Sequence, residues 1–178
     1  TSAGPLEGVN LLITRPVMPA SRTATRVAAL GATPLIFPTL ITEPVAPADA
    51  APLKAALASL SQCYAAIFVS PSAAEITIAP LSSTPLKLPA SLKVFAPGPG
   101  TAEELARLGV TNAQMPSESF DSEGLLALPD LQAAAVKSKR IVIFRGNDGR
   151  ELLREALIQR GATVDAVTAY TRRAPNTP

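Results

Sequence analysis

The chain has 178 residues, enough for one domain and part of a second, and its 47% apolar content can fill a packed core. Aromatics make up only 4% with no Trp, and the formal net charge of +2 comes from scattered basic residues, which argues against base-stacking platforms and bulk nucleic-acid binding. There is no His and one Cys, Cys63, so a His-dependent triad, a Cys/His zinc site and an intrachain disulfide are excluded. No apolar run reaches the roughly 18 residues of a membrane span, and the first residues lack a signal-peptide pattern. The expectation is a soluble, cytoplasmic protein with no membrane partner.

Residues 1–8 read as a flexible lead-in, and 9–14 (VNLLIT) as a buried strand ending at Arg15-Pro16. A helix over 20–30 follows, stopped by Gly31, and 34–37 form a second strand. Residues 41–47 hold two prolines and no helical period, so they read as an extended linker. Asp49 is placed to cap a helix running to about Ser61. Strand 65–69 ends at Ser70-Pro71-Ser72, where Ser72 and Glu75 have capping-box spacing. Residues 82–91 are a proline-rich loop. Strand 92–96 ends at Pro97-Gly98-Pro99-Gly100, with Thr101 and Glu104 as a second box. A short edge strand over 110–115 and helices over 123–128 and up to 136 come next.

The run Arg140-Ile-Val-Ile-Phe144 is β-branched and aromatic, as suits a strand buried on both faces. It stops at Arg145-Gly146. Asp148 with Glu151 reads as the cap of a helix that Gly161 closes, in a stretch that includes Arg150. Residues 163–170 are the last strand, and 171–178 a polar tail. Strands alternate with helices almost throughout, which implies right-handed βαβ units and a mainly parallel sheet covered by helices.

An internal repeat supports two units of one design. At an offset of 130, Ile13 matches Ile143, Arg15 matches Arg145, and Gly31-Ala32-Thr33 matches Gly161-Ala162-Thr163. Shared βαβ grammar is the competing explanation. If the repeat is real, the first unit is too small to bury its own faces. The expected division is 1–40 as a fragment of a discontinuous first domain, 41–47 as linker, 48–170 as the second domain and 171–178 as a return linker.

Four strand ends precede helix N-termini: Arg15-Pro16, Ser70-Pro71-Ser72, Gly98-Pro99-Gly100-Thr101 and Arg145-Gly146. Open α/β sheets bind ligands at the carboxyl ends of their strands. Hydroxyls, backbone N–H groups and guanidinium suit carboxylates or phosphates. Acidic residues do not cluster there, which disfavours a magnesium site. The competing readings are helix capping for Ser72, Thr101 and Asp148, a simple turn for Gly98 and Gly100, solvated surface positions for Arg15 and Arg145, and packing for Tyr170.

The motifs LITRP at 12–16, FPTL at 37–40, FVSPSA at 68–73, GPGTA at 98–102, FDSEGLL at 120–126 and FRGNDGRELL at 144–153, with Tyr170, together resemble the uroporphyrinogen-III synthase family. The resemblance implies two flavodoxin-like α/β domains joined by a two-stranded linker, the first discontinuous. It also implies that a C-terminal part of that domain is missing from this chain. Ala96-Pro97-Gly98 departs from the family's more frequent Val-Gly or Ile-Gly.

The implied activity is a cyclising lyase reaction, in which the linear tetrapyrrole hydroxymethylbilane loses water and closes to uroporphyrinogen III with ring D inverted through a spiro intermediate. No cofactor or metal is implied, and the expected form is a monomer. Tyr170 is the expected catalytic residue, assisting hydroxyl departure. Arg15, Ser70, Pro71, Ser72, Gly98, Thr101, Arg145 and Gly146 are the expected substrate-binding residues. The alternatives are a non-catalytic two-domain module for anions, and a flavodoxin-like electron carrier, for which few aromatics are available to sandwich a flavin.

Overall fold

A computed structural model describes residues 4–83, 87–149 and 151–175. The expectations for residues 1–3 of the lead-in, 84–86 of the proline-rich loop, Arg150 and the last three residues of the tail lie outside the described residues. The chain divides into two compact units, one of Thr1–Glu43 with Arg172–Pro178 and one of Pro44–Thr171.

In the first unit, strand β1 (Asn10–Ile13), helix α1 (Val17–Ala29) and strand β2 (Thr33–Ile36) form one parallel βαβ piece. The helix starts three residues earlier than expected. Pro16 is its N-cap and Pro19 lies in the first turn, where a missing N–H costs nothing. Gly31 ends it at φ +96°, a left-handed conformation that glycine adopts without strain. Ile13, Ala20 and Ala24 form the small buried cluster, with Val27 against it. Leu12, Leu35 and Phe37 are exposed. One helix on two strands cannot cover both sheet faces.

Strand β3 (Ile41–Pro44) leads into the second unit. Helix α2 (Ala51–Ala58) starts after a 3₁₀ turn that holds Asp49, so Asp49 is not its cap. The core elements are β4 (Ala65–Phe68), α3 (Pro71–Ile78), β5 (Lys93–Phe95), α4 (Pro99–Arg107), α5 (Ser122–Ala127), α6 (Ala133–Val136), β6 (Arg140–Gly146), α7 (Leu152–Gln159) and β7 (Thr163–Arg173). The sheet order is β3-β7-β6-β4-β5. The pairs β4–β5, β4–β6 and β6–β7 are parallel. The edge strand expected over 110–115 is reduced to one parallel bridge between Phe95 and Gln114.

Each strand of the centre is apolar on both faces, as a doubly covered parallel sheet requires. Ala66 and Phe68 of β4 join Val142 and Phe144 of β6 in one core with α3 and α4 residues Ala73, Ala74 and Leu105. Ala65 and Ile67 join Ile141 and Ile143 in the other, with Leu125, Leu153 and Leu157 of α5 and α7. Phe68 and Phe144 stack at 5.1 Å between ring centroids.

The chain winds outward from β4 to β5 on one side and from β6 to β7 on the other. The adjacent strands β4 and β6 therefore form the topological switch point, and the carboxyl edge beside them is the natural crevice of such a sheet.

Candidate functional site

The switch point is built around a glycine. Phe68 of β4 is in register with Phe144 of β6, and Val69 N donates to Phe144 O at 3.2 Å, so Ser70, two residues past Phe68, leaves the sheet where Gly146, two past Phe144, ends β6. A register shift between Arg145 and Gly146 then sets Gly146 opposite Tyr170 of β7. Tyr170 is 1% exposed, and its hydroxyl lies 2.9 Å from Ser70 Oγ. β6 stands between β7 and β4, so the phenol must pass over Gly146 to reach Ser70. A Cβ at position 146 would lie 2.7 Å from Tyr170 Cε2 and 2.8 Å from Cζ. Gly146 is not among the positive-φ glycines. Its lack of a side chain, not its backbone freedom, opens the passage.

Ser70 is the N-cap of α3, its Oγ accepting from Ala73 N at 3.1 Å. Pro71 occupies the first turn, as its fixed φ favours. Ser72 is therefore inside the helix, and the expected Ser72–Glu75 box is not the cap. The same displacement occurs at α4. Gly98 is its N-cap and Pro99 follows, so Thr101 is already helical and 4% exposed. Glu104 binds Arg107 rather than closing a box, with Arg107 Nε donating to Oε1 at 3.1 Å. At α7 the N-cap is Glu151, not Asp148.

Arg145 sits beside this corner with its side chain 18% exposed. Its Nη1 pairs with Glu151 Oε1 at 2.6 Å and donates to Gly149 O at 3.4 Å. Its Nε is buried and has no hydrogen-bond partner among the described residues. In the first unit, Arg15 is exposed and donates to Thr23 Oγ1 at 3.2 Å. The structure thus brings Ser70, Gly146 and Tyr170 into contact, keeps Arg145 adjacent, and buries Thr101.

Two partners were not foreseen from sequence. Glu151, read only as a capping acid, holds Arg145. Phe120 packs on Gly98, where a Cβ would come within 2.8 Å of the Phe120 Cβ. The Phe-Asp-Ser-Glu-Gly motif was the available signal for the second.

Shifted carboxyl and thiol groups lie at the other end of the sheet, near the starts of β4 and β5. Lys93 and then Gln114 hold the Asp130 carboxyl below the ordinary range, with Lys93 Nζ at 2.7 Å from Oδ1. Burial pushes the Cys63 thiol up, against the pull of Arg140. Among the described residues no group of three His, Cys, Asp or Glu side chains is placed to hold a metal, and no helix is long and apolar enough to cross a membrane.

Fold and corner together define a class: a mixed α/β protein, doubly wound in its second unit, with hydroxyls and backbone donors gathered at the carboxyl edge of the parallel sheet. Comparison with known proteins narrows it. The family model described as uroporphyrinogen-III synthase HemD matches residues 21–178, and the chain belongs to the uroporphyrinogen-III synthase family.

A uroporphyrinogen-III synthase of Salmonella typhimurium is 36% identical over 164 residues, covering 92% of this chain and 65% of the relative. One from Proteus mirabilis is 43% identical over 84 residues, which are 47% of this chain and 41% of the relative. A crystal structure of a mutant uroporphyrinogen III synthase from Thermus thermophilus shares the fold at a TM-score of 0.58 and 19% identity, over 94% of this chain and 64% of that one. The chain spans less than two thirds of the length of each of these relatives.

Proposed function

We propose that this chain performs the cyclisation for which its family is named: hydroxymethylbilane loses water from its hydroxymethyl end and closes to uroporphyrinogen III with ring D inverted through a spiro intermediate. The observation that carries this reading is the Ser70–Tyr170 hydroxyl pair, 2.9 Å apart at the switch point of the sheet, in a chain of this family. Ser70 Oγ already accepts the Ala73 N–H. Its own proton can therefore point to the Tyr170 oxygen, which would leave the phenol to act as the acid toward a hydroxyl brought against this buried group.

The pyrrole nitrogens supply the electronic push without a cofactor. The protein's main task is to fold the chain so that ring D is attacked at its substituted carbon, which is catalysis by positioning. The Ser72 hydroxyl and backbone N–H groups near Gly98 and Gly146 present donors to substrate carboxylates, while Pro71, which has no N–H, fixes the turn between Ser70 and Ser72. Arg145, its charge shared with Glu151, is the guanidinium beside this corner, and Arg15 is a further substrate-binding candidate on the first unit. Thr101, being buried, contributes by holding the first turn of α4 that Gly98 opens.

The exposed Leu12, Leu35 and Phe37 fit a first unit that is one part of a larger discontinuous domain, with residues 41–47 and 171–178 as its connections. A monomer acting in the cytoplasm on this small molecule completes the reading.

The test is incubation with hydroxymethylbilane followed by separation of isomers. Type III in excess of the spontaneous background supports the reading. Closure to type I alone, at the rate seen without protein, contradicts it.

A further inference from the structure

Most of the aromatic side chains are spent in the core. Phe68, Phe95, Phe144 and Tyr170 are all buried, whereas Phe120 is 52% exposed. Phe120 is nevertheless held in place. Ser119 Oγ donates to Asp121 Oδ2 at 2.9 Å, and Asp121 Oδ1 accepts from Gly124 N at 2.8 Å as the N-cap of α5. Gly124 seats the turn so tightly that a Cβ there would fall 1.8 Å from Ser119 O. The backbone is thus fixed on both sides of the ring.

The ring itself is seated on Gly98. A Cβ at position 98 would approach Phe120 Cβ to 2.8 Å and Cγ to 3.2 Å. Gly98 has φ −172°, an extended conformation open to any residue, so close approach is what requires glycine here. Gly98 caps α4 just beyond β5, at the carboxyl edge that also carries Ser70. Met115, one residue past the Phe95–Gln114 bridge on the same edge, is exposed as well.

An apolar ring fixed in water beside polar strand ends offers what those ends lack, a flat face. We propose that Phe120 is a stacking platform for one pyrrole ring of the substrate, fixing the ring plane while the strand-end donors hold its acetate and propionate arms. This rests on the tetrapyrrole reading above. Offset stacking suits an electron-rich five-membered ring, and it orients that ring as an aliphatic contact would not.

The test uses uroporphyrin III, the oxidised and stable counterpart of the product, as probe, with binding followed by porphyrin fluorescence anisotropy. Phe120→Ala is expected to weaken binding about tenfold, the scale of one lost aromatic contact. Phe120→Leu should fall between, and Phe120→Trp should bind within about threefold of the parent. The chain contains no Trp, so the indole of Phe120→Trp is a sole reporter. Saturating probe should protect it from acrylamide quenching.

Affinity unchanged in both Phe120→Ala and Phe120→Leu, with an indole still open to acrylamide, overturns the platform and leaves the tetrapyrrole reading standing. Absence of uroporphyrin III binding by the parent chain overturns both. If Phe120→Ala does not fold, the Leu and Trp variants decide between an aromatic face and mere bulk.

Discussion

Replacing Gly146 by Ala should disrupt the corner more than its small size implies. The added Cβ would sit 2.7 and 2.8 Å from two ring atoms of Tyr170 and 3.2 Å from its hydroxyl oxygen. Tyr170 is 1% exposed, so the ring has no open side to retreat to. Overpacking of a filled core costs about 1–3 kcal/mol. Any retreat also breaks the hydroxyl pair with Ser70, worth about 1 kcal/mol. The expected loss is therefore about 2–4 kcal/mol, read as a lower urea midpoint of the second unit.

A double-mutant cycle with Tyr170→Phe isolates the second part. In the Tyr170→Phe background the hydrogen bond is already gone, so Gly146→Ala should cost about 1 kcal/mol less than in the parent. A loss under about 0.5 kcal/mol, the range of an indifferent surface change, refutes the claim that Gly146 is the passage for Tyr170. Strict additivity of the two changes refutes its link to the Ser70 bond.

Tyr170→Phe alone should lower type III formation about 100-fold, as loss of a positioned acid does, while costing about 1 kcal/mol of stability; an unchanged rate removes Tyr170 from the mechanism. Asp130→Asn should cost less than about 1 kcal/mol at pH 7, because Asp130 and Lys93 are each about a third exposed. The Asp130 carboxyl is held below its ordinary value in the fold, so its contribution is present at neutral pH and lost as pH falls through that folded value. Urea midpoints of parent and variant should converge below about pH 4, and a gap that widens on acidification contradicts the pairing. Cys63, whose thiol is raised by burial, should react with iodoacetamide far more slowly in the folded chain than in urea at about pH 8, and equal rates contradict its placement.

Strand β6 was legible because its apolar run has no other use: Ile141 to Phe144 are all buried. The βαβ order was legible for the same reason. What the sequence hid was pairing across distance. Gly146 reads as a turn and Tyr170 as a chemical group, and only the register shift between β6 and β7 makes one the gap for the other.

Two of the three capping boxes misled in the same way, while at the third the cap falls later than expected, at Glu151. Prolines at 71 and 99 start their helices one and two residues before the expected caps, because a ring that fixes φ and needs no N–H is at home in a first turn. The acids at the third positions of two boxes pair with arginine instead, Glu104 with Arg107 and Glu151 with Arg145. Spacing alone cannot distinguish a carboxylate that caps from one that meets a guanidinium. The repeat shows the same limit. Arg15 and Arg145 occupy matching strand ends, yet one binds a threonine and the other a glutamate.

The most direct measurement is the isomer ratio of uroporphyrinogen formed from hydroxymethylbilane, with the folded chain, with Tyr170→Phe and with buffer. Type III should be the main product with the parent chain, with a shift toward type I as the slowed variant lets spontaneous closure compete. Type I alone in all three samples, from a chain whose urea transition shows it folded, would contradict that expectation.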